Sequence, residues 1–444
     1  MAISSHRYTA ALLASTATLL LTGCDKEKDP LPGERASYLS FGSVTLQPDV
    51  SLASRAVVVP KAQPWDTFTQ SLVNNDSFNA PIQIQEREEA AWTVNVGAST
   101  DMEHKFISHP VSDGRFIYTS DAYGKITAVK IEDGAVEWEF DTIPEDKRDN
   151  AFGAGLAIDG KTLYVGTAMG EVIALDLTRG AEGTLWRTRQ LIWRVNVDAP
   201  IRVVPAVRGD RVFVTTIDGR TLALSKKDGK TVWTHQGLSE VSSILGGASP
   251  VVRDEYVVAS YSSGEVHVVR ADAGTPVWSE TITTALRTDS ISSIPHIVGN
   301  PIVENSMLYV VSHGGRTAAF DLASGLTTWQ QDLGSVRSPV LLGDFMFMLD
   351  NTNNVVCLEK SSGKIAWIAK IPTSSEGAAL SWTSPLAVND KLVLASSSGK
   401  VIFLSLAKGH VVREFDLKEG VSVPPIAVKG ALYFLLDSGS LVKY

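Results

Sequence analysis

His104 and His109 lie five positions apart, and such a pair could supply two imidazole ligands to a metal ion. No third ligand stands at a matching spacing, so strand ends or loops are the expected places for both. Gly155-Leu156-Ala157-Ile158-Asp159-Gly160-Lys161-Thr162 fits a phosphate-binding loop letter for letter. That loop works only where a strand hands over to a helix whose N-terminus holds the phosphate. Here Asp159-Gly160 is a hairpin signal and Thr162-Leu163-Tyr164-Val165 continues as strand, so the match is coincidental. Asp133, Asp176, Asp228 and Asp321 recur at one place in a repeated turn. Recurrence points to turn capping by side-chain hydrogen bonds. Ser108, Ser249, Ser338 and Ser384 recur beside first-strand positions, which argues for structure, since a nucleophile is needed once. Cys357 sits in the apolar run Val355-Val356-Cys357-Leu358 and reads as a small buried residue. With Cys24 the only other cysteine, a disulfide framework, a Cys-rich zinc site and an iron–sulfur cluster are not expected. This inventory calls for no cofactor and no metal.

The elements that must position these residues come from an internal repeat. Trp92, Trp138, Trp193, Trp233, Trp278, Trp329 and Trp367 are followed by Arg413 in the equivalent place, at spacings of 46, 55, 40, 45, 51, 38 and 46. Gly134, Gly229, Gly274, Gly325, Gly363 and Gly409 each stand four residues before the aromatic or its replacement. A proline opens most units: Pro110, Pro205, Pro250, Pro301, Pro339, Pro385 and Pro425. Each unit reads as four short strands joined by Gly, Asn and Asp turns, which makes one antiparallel sheet. Such a sheet buries both faces only against neighbours, so eight of them are expected around an axis. The expected fold is therefore all-β: an eight-bladed β-propeller of four-stranded antiparallel blades over residues 86–444. The last unit, from Pro425, has room for three strands. The strand around Trp92 is expected to complete it and close the ring, removing an exposed edge.

The chain has 444 residues, 44% hydrophobic, with 40 Lys plus Arg against 49 Asp plus Glu. The formal net charge of −9 argues against a nucleic-acid partner, which would call for a basic stripe. Residues 1–23 read as a secretory signal, with Arg7 ahead of an apolar stretch from Thr9 to Leu21 that is too short to span a bilayer comfortably. Leu21-Thr22-Gly23-Cys24 resembles the lipobox of bacterial lipoproteins. The resemblance implies cleavage before Cys24, lipidation of its thiol and a membrane anchor outside the cytoplasm. Asp25 resembles an inner-membrane retention signal of some lineages, set against the outer membrane as the expected site. Residues 24–85 hold Pro30, Pro32, Pro48, Pro60, Pro64 and Pro81 and are expected to form the lipidated N-terminus and a spacer.

Ala319-Phe320-Asp321-Leu322-Ala323-Ser324-Gly325-Leu326-Thr327-Thr328-Trp329 resembles the tryptophan-docking motif of quinoprotein-like propellers. That resemblance raises an alternative: a periplasmic quinone-dependent (PQQ) dehydrogenase or ligand-binding propeller. The vicinal cysteines and the haem motif of many such enzymes are absent from the sequence. The lipobox, the eight units, Leu333-Gly334-Ser335-Val336 and Trp382-Thr383-Ser384-Pro385 resemble, more closely, the outer-membrane protein assembly lipoproteins of the BamB family. The resemblance implies a non-catalytic scaffold of the β-barrel assembly (BAM) complex, on the periplasmic face of the outer membrane. It would hold the periplasmic repeat domains of BamA beside other lipoproteins of the complex and assist folding and insertion of outer-membrane β-barrel precursors. Two loops carry the family's contacts. They fall here on Ser242, Ile244 and Leu245, and on His296, Ile297 and Val298. The family's arginine is missing from the first and its acidic residues from the second, which leaves two readings: apolar contact by Ile244, Leu245, Ile297 and Val298 presented outward, or packing of these residues at the channel mouth.

Overall fold

The computed structural model describes residues 46–52, 55–74, 78–143, 152–178, 191–238, 246–282, 295–375 and 377–444. All of these except residue 46 belong to one compact unit, Gln47–Tyr444. Eight four-stranded antiparallel sheets follow one another along the described chain, with a two-stranded hairpin at Ser374–Ser375 and Ala378–Ala379. The first blade is Val111–Ser112, Phe116–Ser120, Lys125–Lys130 and Val136–Asp141. The eighth contributes Ile426–Val428, Ala431–Leu435 and Ser440–Lys443 from the C-terminus and takes its outermost strand, Trp92–Asn95, from the other end of the ring. Trp92 pairs with Lys443 and Asn95 with Ser440, so the expected closure is present.

Burial follows from this stacking. The second and third strands of each blade are buried on both faces, as in Arg211–Thr215 and Arg220–Ser225, because a neighbouring blade lies on either side. The outermost strands alternate with solvent, as in Thr231–Gln236.

The recurrent tryptophans lock each blade to the next. Trp193, Trp233, Trp278, Trp329 and Trp367 donate their indole N–H to Lys226, Ala271, Leu322, Lys360 and Leu406 carbonyls of the following blade at 2.9, 3.0, 2.7, 2.7 and 3.1 Å. The recurrent glycine lies under that indole. A Cβ at Gly363 would stand 2.4 Å from Trp329, and Gly363 has φ +68°, so both space and backbone demand glycine there. In the first six blades the ladder slips by one residue just past the partner of the tryptophan, for example between Ala223 and Leu224 opposite Trp233. Such a bulge re-aims the side chain out of the sheet. The partner is small in most blades: Ala128, Ala174, Ala223 and Ala319. Cys357 takes that place opposite Trp367, fully buried, and burial pushes its thiol well up from its ordinary pKa.

Within the expected spacer, the described residues from Arg55 to Gln85 lie as a strap over the end of the ring where each inner strand turns back. Phe68 exchanges two backbone hydrogen bonds with Ser112 of the first blade, at 2.9 and 2.7 Å. Thr69 accepts from Ile158, Gln70 from Val207, and Asn74 bonds both Pro250 and Val252. Ser71 accepts from Asn300, Arg55 pairs with Asp344 and Glu359, Ile82 donates to Ala387, and Trp65 accepts from Lys429. The strap thus reaches all eight blades. Its prolines are compatible with this path, because an extended segment lying on a surface needs no ladder of its own. Its own Phe68, Val73, Ile82 and Ile84 are buried against the blades.

Candidate functional site

Inner strands all run in one direction along the ring axis, so the axial channel has two unlike ends. At the strap end, Leu72–Asn74 forms a single 3-10 turn that enters the channel beside Ser71. At the other end the channel is ringed by the connections between blades, and a cavity of about 690 Å³ lies between. The recurrent serines build its collar. Ser249 Oγ accepts from the Val204 N–H at 3.1 Å, Asn300 Oδ1 from Ser249 at 2.7 Å, Ser338 Oγ from Asn300 at 3.0 Å and Ser384 Oγ from Ser338 at 3.0 Å. From the third blade to the seventh each inner-strand entry is bonded to the next, and Ser108 donates to the Ala154 carbonyl ahead of the second blade, so the repeated serine is structural, as its recurrence implies.

The sequence-derived candidates separate in the structure. His104 Nδ1 donates to the Asp101 carboxylate and its ring stacks on Tyr123 at 4.2 Å; His109 Nδ1 donates to the Pro110 carbonyl and its ring meets Phe68 edge-on. They form no common site, and no group of three or more His, Cys, Asp or Glu suited to a metal occurs among the described residues. Gly155–Asp159 and Thr162–Gly166 are two strands of one hairpin, so the phosphate-loop match has no helix to work with. Asp133, Asp176, Asp228 and Asp321 each accept a backbone N–H two or three residues on.

Ser242, Ile244, Leu245 and Cys24 lie outside the described residues. The segment after them meets the second loop: a Cβ on Gly246 would stand 3.8 Å from Val298 Cγ1. Gly246, the first described residue after that loop, thus adjoins Val298 of the second loop at the cavity. Of the two readings for Ile297, outward contact is ruled out and packing is observed. Ile297 is fully buried in the wedge between the fourth and fifth blades, with Ala248, Val251 and Val266, because the chain must pack between Tyr261 and His313 before it enters the fifth blade. His296 is buried too. Val298 is half-buried and lines the cavity. The apolar periodicity of the fifth blade begins only after Pro301, so nothing in the sequence distinguishes a core Ile297 from a surface one.

Burial, then the neighbouring His313, pushes His296 down to about 4. Its unfolded value is near 6.5, so between those values the unfolded chain binds a proton that the folded chain refuses. Stability is therefore full above pH ~6.5 and falls as pH drops toward 4, by on the order of 3 kcal/mol from this group. Urea midpoints at pH 7 and 4.5 check it: His296→Gln should flatten the difference, and an unchanged slope would refute this origin.

Propellers closed by an N-terminal strand and locked by indoles form one structural class, here with a rim of inter-blade connections and a filled axial end. The chain belongs within it to the family of the outer membrane protein assembly factor BamB, whose family model matches residues 142–369. An uncharacterized protein of Rickettsia conorii is 28% identical over 270 residues, 60% of this chain. The match spans 63% of that protein's length. The assembly factor BamB of Escherichia coli K12 is 24% identical over 404 residues, covering 90% of this chain and 96% of that protein. The crystal structure of BamB from Moraxella catarrhalis superposes with a TM-score of 0.65 at 21% identity, over 80% of this chain and 98% of that one. At that identity the likeness speaks for the fold alone.

Proposed function

We propose that the protein is a non-catalytic assembly factor of the outer membrane, anchored by lipid on Cys24 and facing the periplasm. It binds the periplasmic repeat domains of BamA, beside other lipoproteins of the complex, and assists folding and insertion of β-barrel precursors. Membership of the BamB family is the observation that carries this reading. The strap supports a choice of face: it occupies one axial end with the protein's own chain. The partner then meets the other end, at the rim that carries Gly246 and Val298, with Ile244 and Leu245 as its further proposed contacts. Sharing one membrane raises the effective concentration of both partners without any new contact.

The test is capture of the BamA repeat domains by the full lipidated chain. Recovery is expected from the native protein. Leu245→Asp with Val298→Asp should reduce it at least tenfold while the thermal midpoint stays put. Failure of the native chain to recover BamA would sink the proposal.

A further inference from the structure

Two arginines of the axial cavity have no acid to answer them among the described residues. Arg202 stands three residues before Pro205 at the entry of the third blade, and Arg337 two before Pro339 at the entry of the sixth. Three blade positions in a ring of eight set them across the channel from each other. Both line the cavity. Arg202 Nε is buried with no hydrogen-bond partner among the described residues, and its guanidinium lies over the Phe152 ring at 4.7 Å. Burial alone pulls each guanidinium down from its ordinary value, with no neighbouring carboxylate acting the other way. The carboxylates on the cavity wall are Asp254 and Glu304, and these stand at the strap end, where the inner strands finish. Glu304 is already paired with Lys360. The third arginine of the wall, Arg253, differs from these two: it donates to the Val73 carbonyl at 2.9 Å and holds the strap in place.

A desolvated cation without a counter-charge costs stability unless something repays it. Proteins keep such groups where an anion is to be held, and arginine suits a carboxylate by presenting two parallel N–H donors. The wall between the two guanidiniums is mixed: Val203, Val204, Val298 and Val336 stand beside Ser249, Asn300 and Ser338, whose polar groups are largely engaged in the collar, and Phe106 and Leu72 add apolar surface. The volume is that of a site for a molecule of a few hundred daltons.

We infer that the cavity binds an organic carboxylate carried on an apolar body, its charge held between Arg202 and Arg337. Two sources share that chemistry, a free small acid and the C-terminus of a polypeptide entering from the rim. The rim carries Val298 of a candidate partner loop, yet the site needs no partner to be complete.

Calorimetric titration of the full chain with four probes tests this: octanoate, an acetylated hexapeptide ending in Val-Leu as the free acid, the same peptide as its amide, and inorganic phosphate. At least one of the two apolar carboxylates should bind, and the one that does identifies the source. The amide and phosphate should bind at least tenfold more weakly. Arg202→Gln with Arg337→Gln should weaken the bound carboxylate at least tenfold and leave the thermal midpoint equal or higher, because an uncompensated charge has been removed. Equal binding by the double variant overturns the inference. So does equal binding of acid and amide, binding of phosphate alone, or heat from no probe. A thermal midpoint that falls in the double variant would show the arginines to be structural and overturns it too.

Discussion

Trp329→Ala should cost about 3–5 kcal/mol of unfolding free energy, the range for emptying an indole site in a packed core. The indole fills the wedge between the fifth and sixth blades and donates to the Lys360 carbonyl at 2.7 Å. Gly363→Ala should cost about 2–3 kcal/mol, from two sources. Its Cβ would meet Trp329 at 2.4 Å, and a left-handed φ of +68° penalises any Cβ by about 1–2 kcal/mol. The clash needs the indole, whereas the backbone penalty does not. In the Trp329→Ala background Gly363→Ala should therefore cost only about 1–2 kcal/mol, and the two substitutions together should cost roughly 1 kcal/mol less than their sum. Urea unfolding followed by circular dichroism measures all four corners of the cycle. Strict additivity would mean that the glycine is there for its turn alone and that the indole contact is incidental.

That cycle probes the feature most legible in the sequence. Aromatic and glycine markers recur because every blade solves the same wedge with the same two residues, so residue spacing alone counts eight sheets and points to their closure by Trp92–Asn95. The recurrent Ser108, Ser249, Ser338 and Ser384 are equally readable as structure, although their hydrogen-bonded collar is not. Asn300 serves in the same collar with a different side chain. Cys357 is readable as buried, while its office as the small residue opposite an indole emerges only from the register. What escapes sequence reasoning has no period. The strap forms one backbone bond here and one side-chain bond there, spread over eight blades, so it carries neither a 2.0 nor a 3.6 residue rhythm. Its prolines read as spacer for the same reason. Ile297 is a similar case: a connection of irregular backbone gives no clue to which of its residues faces the core. Arg202 and Arg337 look like ordinary surface charges until the ring brings them to one cavity and sets the acids of its wall at the opposite end.

The strap invites the second large effect. The ring is already closed by its own outer strand, so residues 47–85 are not needed to join its ends. Their contribution has to come from what they cover. Ile82 is fully buried against a core that includes Leu386, Val388 and Ile426, and its backbone bonds Ala387 and Asn389 at 3.0 and 2.9 Å. Ile82→Asp places a carboxyl in that apolar cluster. The group must either remain charged there or take up a proton, and either choice costs several kcal/mol. The chain has a cheaper way out: it can release the strap and keep the ring. Release exposes the apolar surfaces of the strap and of the blades beneath, each large side chain losing about 1.5–3 kcal/mol of burial, against backbone freedom regained at about 1–2 kcal/mol per residue. The variant should therefore unfold in two steps. Limited proteolysis should cut first within residues 55–85 and leave a propeller core, and the urea midpoint of that core should lie below that of the native chain. A single transition at the native midpoint, with the strap as resistant as before, would mean that the hydrogen bonds from Phe68 to Asn74 hold it unaided and that Ile82 contributes little to closing this end of the channel.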